Sequence, residues 1–310
     1  MRQAVIDIGT NSVLMVIAEV SGTAGLNVLR DEAKITRLGD GIWHNNMISE
    51  PALQRTVDTL QEYLRICRDF HVDAVDVIGT EIFRRAWNSP DIQKKIHEQT
   101  GLKVKVLSGK EEALCTFRSA LPENIGNNKD YIVIDIGGGS TEIIIGSLSG
   151  QHFTWSLPLG AVVLTAEYLN NDPPKPSELR EAQKYIGERI CRLPPMKQKK
   201  SAIGIGGTIT TLAAINLNLT EFDPVKIESK SLTKNAVKFI LNRFSKLSAR
   251  ERLSIPGMEK GREDIIIAGT AVLLEFLNYY MLESIRVSTK GVRYGYLVLS
   301  LAKTQSRKVL

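Results

Sequence analysis

Short apolar runs and longer helical patterns alternate along the chain. Runs rich in Val and Ile cover residues 3–9 and 13–20, and they are too short for helices, so they predict two strands. A third strand is predicted within 25–39. After Ser49, Glu50 and Pro51, apolar residues recur at helical spacing, which predicts that a helix begins there. The chain is therefore expected to open as a β-meander and to continue with helices.

Strands and helices then alternate to the end of the chain. For the first half, the pattern predicts a strand at 72–80, a helix at 89–99, a strand at 103–108 and a helix at 111–121. For the second half, it predicts strands near 131–147 and 151–157, a helix from Ser177, a strand, Gly loop and helix over 201–216, a helix at 260–281, and a strand, turn and helix over 284–301. Both halves begin with a strand–turn–strand, which predicts an α/β fold with a duplicated core.

The polar stretch "PENIGNNKD" at 122–130 separates the two halves. It is rich in Pro, Gly and Asn, as expected of a connection between domains. A chain of 310 residues is long enough for two ordinary domains. We expect an N-terminal domain over 1–124 and a C-terminal domain over 125–310, with the last helix a candidate to pack back on the first domain.

The strand–turn–strand that opens each half is nearly the same sequence twice. It reads "VIDIGTNSVLMVI" at 5–17 and "VIDIGGGSTEIII" at 133–145. A carboxylate such as Asp7 at the end of an apolar strand is costly unless something compensates it. Gly9 lets the backbone turn tightly and leaves room beside it. Ordinary hairpin turns would explain the Gly and Asn residues, but not an acid repeated at the same place.

These turns have the composition of a phosphate cradle. Consecutive backbone amides and small polar side chains bind anions, and glycine lets the backbone approach closely. The candidate phosphate-binding residues of the two turns are Gly9, Thr10, Asn11, Ser12, Gly137, Gly138, Gly139, Ser140 and Thr141. A third Gly loop, "GIGGTI" at 204–209, precedes a predicted helix and suits an anion at the helix N-terminus. This loop adds Gly206, Gly207 and Thr208 to the candidate phosphate-binding residues. The chain contains no GxxxxGK[ST] motif and no complete dinucleotide fingerprint.

Carboxylates beside the turns predict a metal. Asp135 and Glu142 flank the second turn, and two negative charges would repel a phosphate. A Mg²⁺ ion that bridges carboxylate and phosphate oxygens removes the conflict. We therefore expect Asp135 and Glu142 to bind Mg²⁺, with Asp7 as a third candidate ligand.

Composition and charge narrow the class of protein. Lys and Arg number 40 against 34 Asp and Glu, a formal charge of +6, and the basic residues are dispersed. This suits an anionic ligand but does not indicate nucleic acid. The three cysteines, Cys67, Cys115 and Cys191, form no CxxC pair, so we expect a reducing compartment without disulfides or zinc. No signal peptide or apolar run of roughly 18 residues is present, so we expect a soluble cytoplasmic protein without a membrane partner.

The motifs in order resemble those of the exopolyphosphatase and guanosine pentaphosphate phosphatase family, within the actin, sugar kinase and heat-shock chaperone superfamily. The matching segments are "DIGTNS" (7–12), "TRLGDG" (36–41), "GTEIFRRAWN" (79–88), "LSGKEEA" (107–113), "DIGGGSTE" (135–142), "GIGGT" (204–208) and "SIRVSTKGVRYG" (284–295). They span nearly the whole chain, in the short two-domain form. The resemblance implies two similar ribonuclease H-like (actin-like ATPase) domains with an interdomain cleft, and a homodimer.

The resemblance also assigns roles to residues. It implies that Glu112, the second Glu of "EEA", is the catalytic base. Ser108 and Glu111 have the spacing of a capping box, so Glu111 has a structural task and Glu112 is free for another. Arg84 matches the family's Arg, whose planar fork suits phosphate oxygens. Arg37 and Arg293 are further candidate phosphate contacts.

The chain departs from the family pattern at three places. Asp40 stands where many members have Glu, and the bulky Ile82 and Phe83 stand where smaller residues are usual. Tyr294 stands where the family often has Glu, which puts one contact near the C-terminal loop in question.

The expected function is a Mg²⁺-dependent phosphohydrolase that cleaves terminal phosphoanhydride bonds, with K⁺ a candidate monovalent cofactor. Inorganic polyphosphate is the favoured substrate. The alternatives are a guanosine pentaphosphate (pppGpp) phosphohydrolase, a kinase or ATPase of the same superfamily, and a non-catalytic alarmone-binding regulator.

Overall fold

A computed structural model describes residues 1–20, 26–121, 130–147, 150–195 and 201–307. Its contacts divide the chain into two compact units, Met1–Ser119 with Lys290–Leu310, and Ala120–Thr289. The boundary expected between residues 124 and 125 lies outside the described residues. No helix among the described residues is long and apolar enough to cross a bilayer.

The first unit is built on a five-stranded sheet of order β3-β2-β1-β4-β5. Its strands are β1 (Arg2–Ile8), β2 (Ser12–Val20), β3 (Leu26–Ile35), β4 (Ala74–Gly79) and β5 (Val104–Val106). The first three are antiparallel neighbours, which confirms the predicted β-meander, and β4 and β5 add in parallel. The helices are α1 (Ile42–Asn45), α2 (Glu50–Asp69), α3 (Glu81–Arg85), α4 (Ser89–Thr100) and α5 (Gly109–Ala120).

Local signals in the sequence set several helix ends in this unit. Helix α2 begins after Ser49, whose side chain accepts a hydrogen bond from the amide of Ala52, as an N-cap does. Helix α4 ends at Gly101, which has φ 75° and is left-handed, as expected of a C-cap glycine. Helix α2 begins where it was predicted, and α4 ends within one residue of its predicted end, because capping depends only on neighbouring residues.

The second unit repeats the plan with a six-stranded sheet of order β10-β11-β9-β6-β7-β8. Its strands are β6 (Tyr131–Ile136), β7 (Thr141–Ser147), β8 (Gly150–Leu157), β9 (Ser201–Ile205), β10 (Ser231–Thr233) and β11 (Ser284–Val287). Strands β6, β7 and β8 form an antiparallel meander, and β9 and β11 add in parallel. The helices are α6 (Ala161–Tyr168), α7 (Pro176–Ile190), α8 (Gly207–Asn216), α9 (Pro224–Ile227), α10 (Lys234–Phe244), α11 (Ala249–Leu253) and α12 (Ile266–Tyr279).

Helix α12 differs from its prediction at the N-terminal end. A helix was expected from residue 260, but α12 begins at Ile266. Gly261 has φ 88°, a left-handed conformation that interrupts helical geometry, and residues 261–265 form turns before the helix. No strand or helix was predicted for residues 231–253, where β10, α10 and α11 lie.

The last helix, α13 (Val292–Arg307), belongs to the first unit. Its buried Val292 and Leu297 pack with Val5 and Ile78 on one face of the first sheet. Ala4, Ile6 and Ile8 face the opposite side of that sheet, in a separate core cluster. Side chains alternate along a strand, so Asp7 lies on the same face as Val5, toward α5 and α13.

Candidate functional site

The first turn of the repeated element, residues 9–12, is held by the "TRLGDG" segment. The amide of Gly9 donates to the carbonyl of Ser12 at 3.0 Å, and the amide of Gly39 donates to the carbonyl of Thr10 at 2.8 Å. The C=O and N–H groups of a trans peptide point in opposite directions, so the amide of Asn11 points away from Gly39. The Asn11 side chain is 7% exposed, and its Nδ2 has no partner among the described residues. This turn therefore offers donors to an anion.

The second turn, residues 137–140, has the same hairpin geometry but different support. The amide of Gly137 donates to the carbonyl of Ser140 at 2.9 Å. The carbonyls of Gly137 and Gly138 accept from the amides of Ala161 and Val162, both at 2.9 Å, at the start of α6. The amides of Gly138 and Gly139 lie opposite these carbonyls and point away from α6. Two consecutive amides are thus presented on one side, as in an anion-binding nest.

The two hairpins differ in one position that matters for charge. In the first, Asp7 pairs across the strands with Leu14, and in the second, Asp135 pairs with Glu142. Side chains directly opposite in an antiparallel pair have Cβ atoms about 5 Å apart. The second hairpin therefore carries a facing pair of carboxylates, and the first does not.

The carboxylate pair has the chemistry of a magnesium site. Glu142 is 4% exposed, and its Oε1 accepts from the hydroxyls of Ser140 and Ser156 at 2.7 and 2.8 Å. Gly206 lies against the other acid, since a Cβ on Gly206 would stand 2.7 Å from Asp135 Oδ1. The described residues contain no group of three or more His, Cys, Asp or Glu that could hold a metal. Two carboxylates still fit Mg²⁺, because this ion is usually bound by one or two carboxylates plus waters and phosphate oxygens.

The guanidinium of Arg262, which was not predicted as a site residue, lies against the third glycine loop. Helix α8 begins at Gly207, and a Cβ there would collide with the guanidinium of Arg262. Arg262 is 9% exposed and pairs with Glu259. Thr208 is buried against Gly269. No local pattern indicates Arg262, because it is a single Arg more than fifty residues away along the chain.

Two threonines of the predicted cradle use their hydroxyls internally. Thr141 is fully buried and donates to the carbonyl of Leu159 at 2.6 Å, which holds the segment before α6 on the second turn. Thr10 donates to Glu81 Oε2 at 3.3 Å. Their side chains therefore fix the turns, and the donors left for a ligand are backbone amides and Nδ2 of Asn11.

The buried Glu112 side chain forms an ion pair with Arg84, whose side chain is 26% exposed. The predicted capping box is present: the Ser108 amide donates to Glu111 Oε2 at 2.9 Å, and the Glu111 amide donates to Ser108 Oγ at 3.2 Å. Glu112 is 7% exposed, and its Oε2 accepts from Arg84 Nη1 at 2.6 Å. Arg84 Nη1 also donates to the carbonyl of Leu107 at 2.8 Å. Burial raises the pKa of Glu112 above its usual range, against the lowering effect of Arg84.

Helix α3 carries Arg84 and a further acid, the half-buried Glu81. The bulky Ile82 and Phe83 are buried in the core of the first unit, where Phe83 packs against Gly79 and Ile82 lies close to Gly39. Their size therefore has a structural reason. Burial raises the pKa of Glu81, and Arg85 and the Thr10 hydrogen bond oppose the change. Glu81 was not predicted as a site residue, although its place just after the strand that ends at Gly79 was a signal.

The other predicted arginines lie at different places in the first unit. The amide of Arg37 donates to the carbonyl of Asn11 at 2.9 Å, so Arg37 borders the first turn. Arg293 is 7% exposed, and its Nη2 donates to both carboxylate oxygens of Asp31, at 2.8 and 3.0 Å. Tyr294 donates to the same carboxylate at 2.6 Å. Arg293 and Tyr294 thus tie α13 to β3, which gives the departure at Tyr294 a structural explanation.

Known proteins are similar to this chain in sequence and in fold. A sequence model of the Ppx/GppA phosphatase family matches residues 15–304. The bifunctional 3-dehydroquinate synthase/phosphatase of Fusobacterium nucleatum is 32% identical over 92% of this chain, which spans 44% of that protein's length. Exopolyphosphatase 2 of Mycobacterium tuberculosis (strain H37Rv) is 30% identical over 88% of this chain and 89% of that protein.

A crystal structure of the Aquifex aeolicus member of the Ppx/GppA family superposes with a TM-score of 0.80 at 31% identity, over 98% of each chain. The predicted α/β fold with two actin-like domains is confirmed by this match and by the two sheets. The chain therefore belongs to the Ppx/GppA phosphatase family and, with its exopolyphosphatase relatives, to the hydrolases of phosphoanhydride bonds.

Proposed function

We propose that this protein is a Mg²⁺-dependent exopolyphosphatase that releases phosphate from the end of inorganic polyphosphate. The observation that carries the proposal is the ion pair between the buried Glu112 and Arg84, with Oε2 and Nη1 2.6 Å apart. The two residues lie on helices α5 and α3 of the first unit, which also carries the first turn. The name of the relative in Mycobacterium tuberculosis supports the substrate class.

Glu112 acts as the general base. Arg84 occupies Oε2, and Oε1 accepts a proton from water as the water oxygen attacks the terminal phosphorus. The bond from that phosphorus to the bridging oxygen breaks, which releases orthophosphate and a chain shorter by one phosphate. A raised pKa makes Glu112 a better proton acceptor than an ordinary carboxylate.

Arg84 offsets charge on the reacting phosphate. Its Nη1 is used by Glu112 and Leu107, and the described residues supply no partner for Nη2 and Nε. These two nitrogens can donate in parallel to phosphate oxygens. Removing a charged donor from a transferring phosphoryl group is costly because such catalysis rests on positioning and charge stabilisation.

The backbone amides of the two turns bind the remaining phosphates, and Asp135 and Glu142 hold Mg²⁺, with Asp7 as a further candidate ligand. When bound, the ion neutralises charge on phosphate oxygens. K⁺ remains a candidate monovalent cofactor, to be tested against Na⁺. We also propose a cytoplasmic location, consistent with three free thiols, and a homodimer, which sedimentation tests.

Phosphate release from polyphosphate, guanosine pentaphosphate and ATP tests the proposal directly. Wild type is compared with Glu112→Gln and with Glu111→Gln, a neighbouring change of equal charge whose Gln can keep the capping box. We expect Glu112→Gln to lose activity at least about a hundredfold, as general-base removal does, and Glu111→Gln to keep it. Full activity of Glu112→Gln would refute the role of Glu112.

The same assay separates the alternatives. A preference for guanosine pentaphosphate would support the pentaphosphate phosphohydrolase, and ATP turnover would support a kinase or ATPase. Binding of the alarmone without turnover of any substrate would support a regulator. Because Glu112 must be ionised, kcat/KM of the hydrolase should fall as the pH drops through a pKa above the value of about 4.3 for free Glu.

A further inference from the structure

We propose that Glu81 is a positioning residue of this site: its carboxylate fixes Thr10 in the first turn and places a second negative charge beside the Glu112–Arg84 pair. The proposal rests on the proposed function of Glu112. It assigns a role to Glu81, which lies in the segment at 79–88 but has no role in the predicted site.

The first contact locks the turn. Thr10 Oγ1 donates to Glu81 Oε2 at 3.3 Å, and the Thr10 methyl group packs so closely on Gly39 that a Cβ at residue 39 would collide with it. Both branches of the Thr10 side chain are therefore held. The carbonyl of Thr10 is held too, by the amide of Gly39. With these three contacts fixed, the peptide that carries the Asn11 amide has one orientation.

The second contact is electrostatic. Glu81 and Arg84 stand three residues apart on α3, so their side chains are neighbours on one face of that helix. Arg84 reaches from there to Glu112 on α5. The charged groups that act on Glu81 are Arg84 and Arg85 of its own helix, and Glu81 in turn acts on Glu112. Both carboxylates thus interact electrostatically with Arg84, and the negative charge of Glu81 raises the pKa of Glu112.

Glu81 differs from an ordinary acidic residue at the start of a helix. Such a residue favours the helix dipole while its carboxylate remains in water. Helix α3 has only five residues, and burial raises the pKa of the Glu81 carboxyl, so the position costs free energy. A Gln at this position would keep the hydrogen bond from Thr10 without the partly buried charge. The charge itself is therefore the feature that needs a role.

The pH dependence of kcat/KM for polyphosphate hydrolysis tests this role. Glu81→Gln keeps an acceptor for Thr10 but removes the charge, so we expect the acidic limb of the pH profile to move to lower pH. Glu98→Gln is the matched control, because it makes the same charge change at an exposed position of α4. Thr10→Val removes the hydroxyl and keeps Glu81, so it should raise KM and leave the limb in place. Circular dichroism confirms that each variant is folded.

The outcomes separate the two levels of the proposal. If Glu112→Gln is inactive and Glu81→Gln has the wild-type pH profile, the role of Glu81 is overturned while the proposed function stands. If Glu112→Gln is fully active, there is no Glu112 limb, and both proposals fall together. A shifted limb in Glu81→Gln with an unshifted limb in Glu98→Gln supports the role of Glu81.

Discussion

Gly206→Ala changes the glycine loop of the second unit where it lies against Asp135, one of the two carboxylates proposed to bind Mg²⁺. Gly206 has φ 93° and ψ 159°, a region that is essentially reserved for glycine, and forcing another residue into it costs about 1–3 kcal/mol. The added Cβ would stand 2.7 Å from Asp135 Oδ1 and 2.7 Å from the carbonyl oxygen of Ile136. Such overpacking costs about 1–3 kcal/mol more, because a backbone carbonyl cannot move aside cheaply. We therefore expect the free energy of unfolding to fall by about 2–6 kcal/mol.

Gly187→Ala is the matched control in the same unit. Gly187 lies inside helix α7, and a Cβ there meets no heavy atom within 4 Å. Replacing a helical glycine by alanine stabilises by about 0.5–1 kcal/mol. Urea unfolding of both full-length variants, followed by circular dichroism, measures the two changes side by side.

The same variant should also disturb the metal-type pair, since the new methyl group presses on the Asp135 carboxylate. We expect Gly206→Ala to need more Mg²⁺ for half-maximal phosphate release, and Gly187→Ala to need the wild-type amount. The reasoning is refuted if Gly206→Ala unfolds with the free energy of wild type or is as stable as Gly187→Ala.

Two further predictions concern the acids of the two units. Asp31→Asn removes the negative charge that pairs with the buried Arg293 guanidinium and should destabilise the protein by about 3–5 kcal/mol, whereas Tyr294→Phe removes one charge-assisted hydrogen bond and should cost about 1.5–3 kcal/mol. Urea unfolding checks both, and equal costs would contradict the ranking. Glu142→Ala should raise the Mg²⁺ concentration for half-maximal activity more than Asn11→Ala does, because only Glu142 faces a second carboxylate. A Mg²⁺ titration that shows the reverse order would exclude the second turn as the metal position.

Features set by neighbouring residues were predictable from the sequence. The capping box of Ser108 and Glu111 and the C-cap at Gly101 each depend on a few consecutive residues, and both are present in the structure. The two hairpins follow from the Val and Ile runs and the turns between them, and the pairing of Asp135 with Glu142 follows from the hairpin register. The pattern of apolar residues did not reveal helices α10 and α11, although Thr233 and Ser248 are N-caps that could have indicated them.

The direction in which each polar side chain points was not predictable in this way. Thr10 and Thr141 have the composition of phosphate ligands, yet their hydroxyls donate to Glu81 and to the carbonyl of Leu159. A threonine hydroxyl can bind a ligand or the protein, and only the neighbours brought by the fold decide between them. Arg293 has the same ambiguity, and Asp31, 262 residues away along the chain, binds its guanidinium.

The sequence by itself determined the duplicated α/β plan, the two acid-bearing turns and the family, because these depend on periodicity, local turn chemistry and motif order. Only the tertiary structure decided that Arg84 pairs with Glu112, that Glu81 holds Thr10 and that Arg262 lies on Gly207. The first two contacts join residues that are 28 and 71 positions apart along the chain, respectively. Their energies depend on burial and distance, which exist only once the strands and helices have packed.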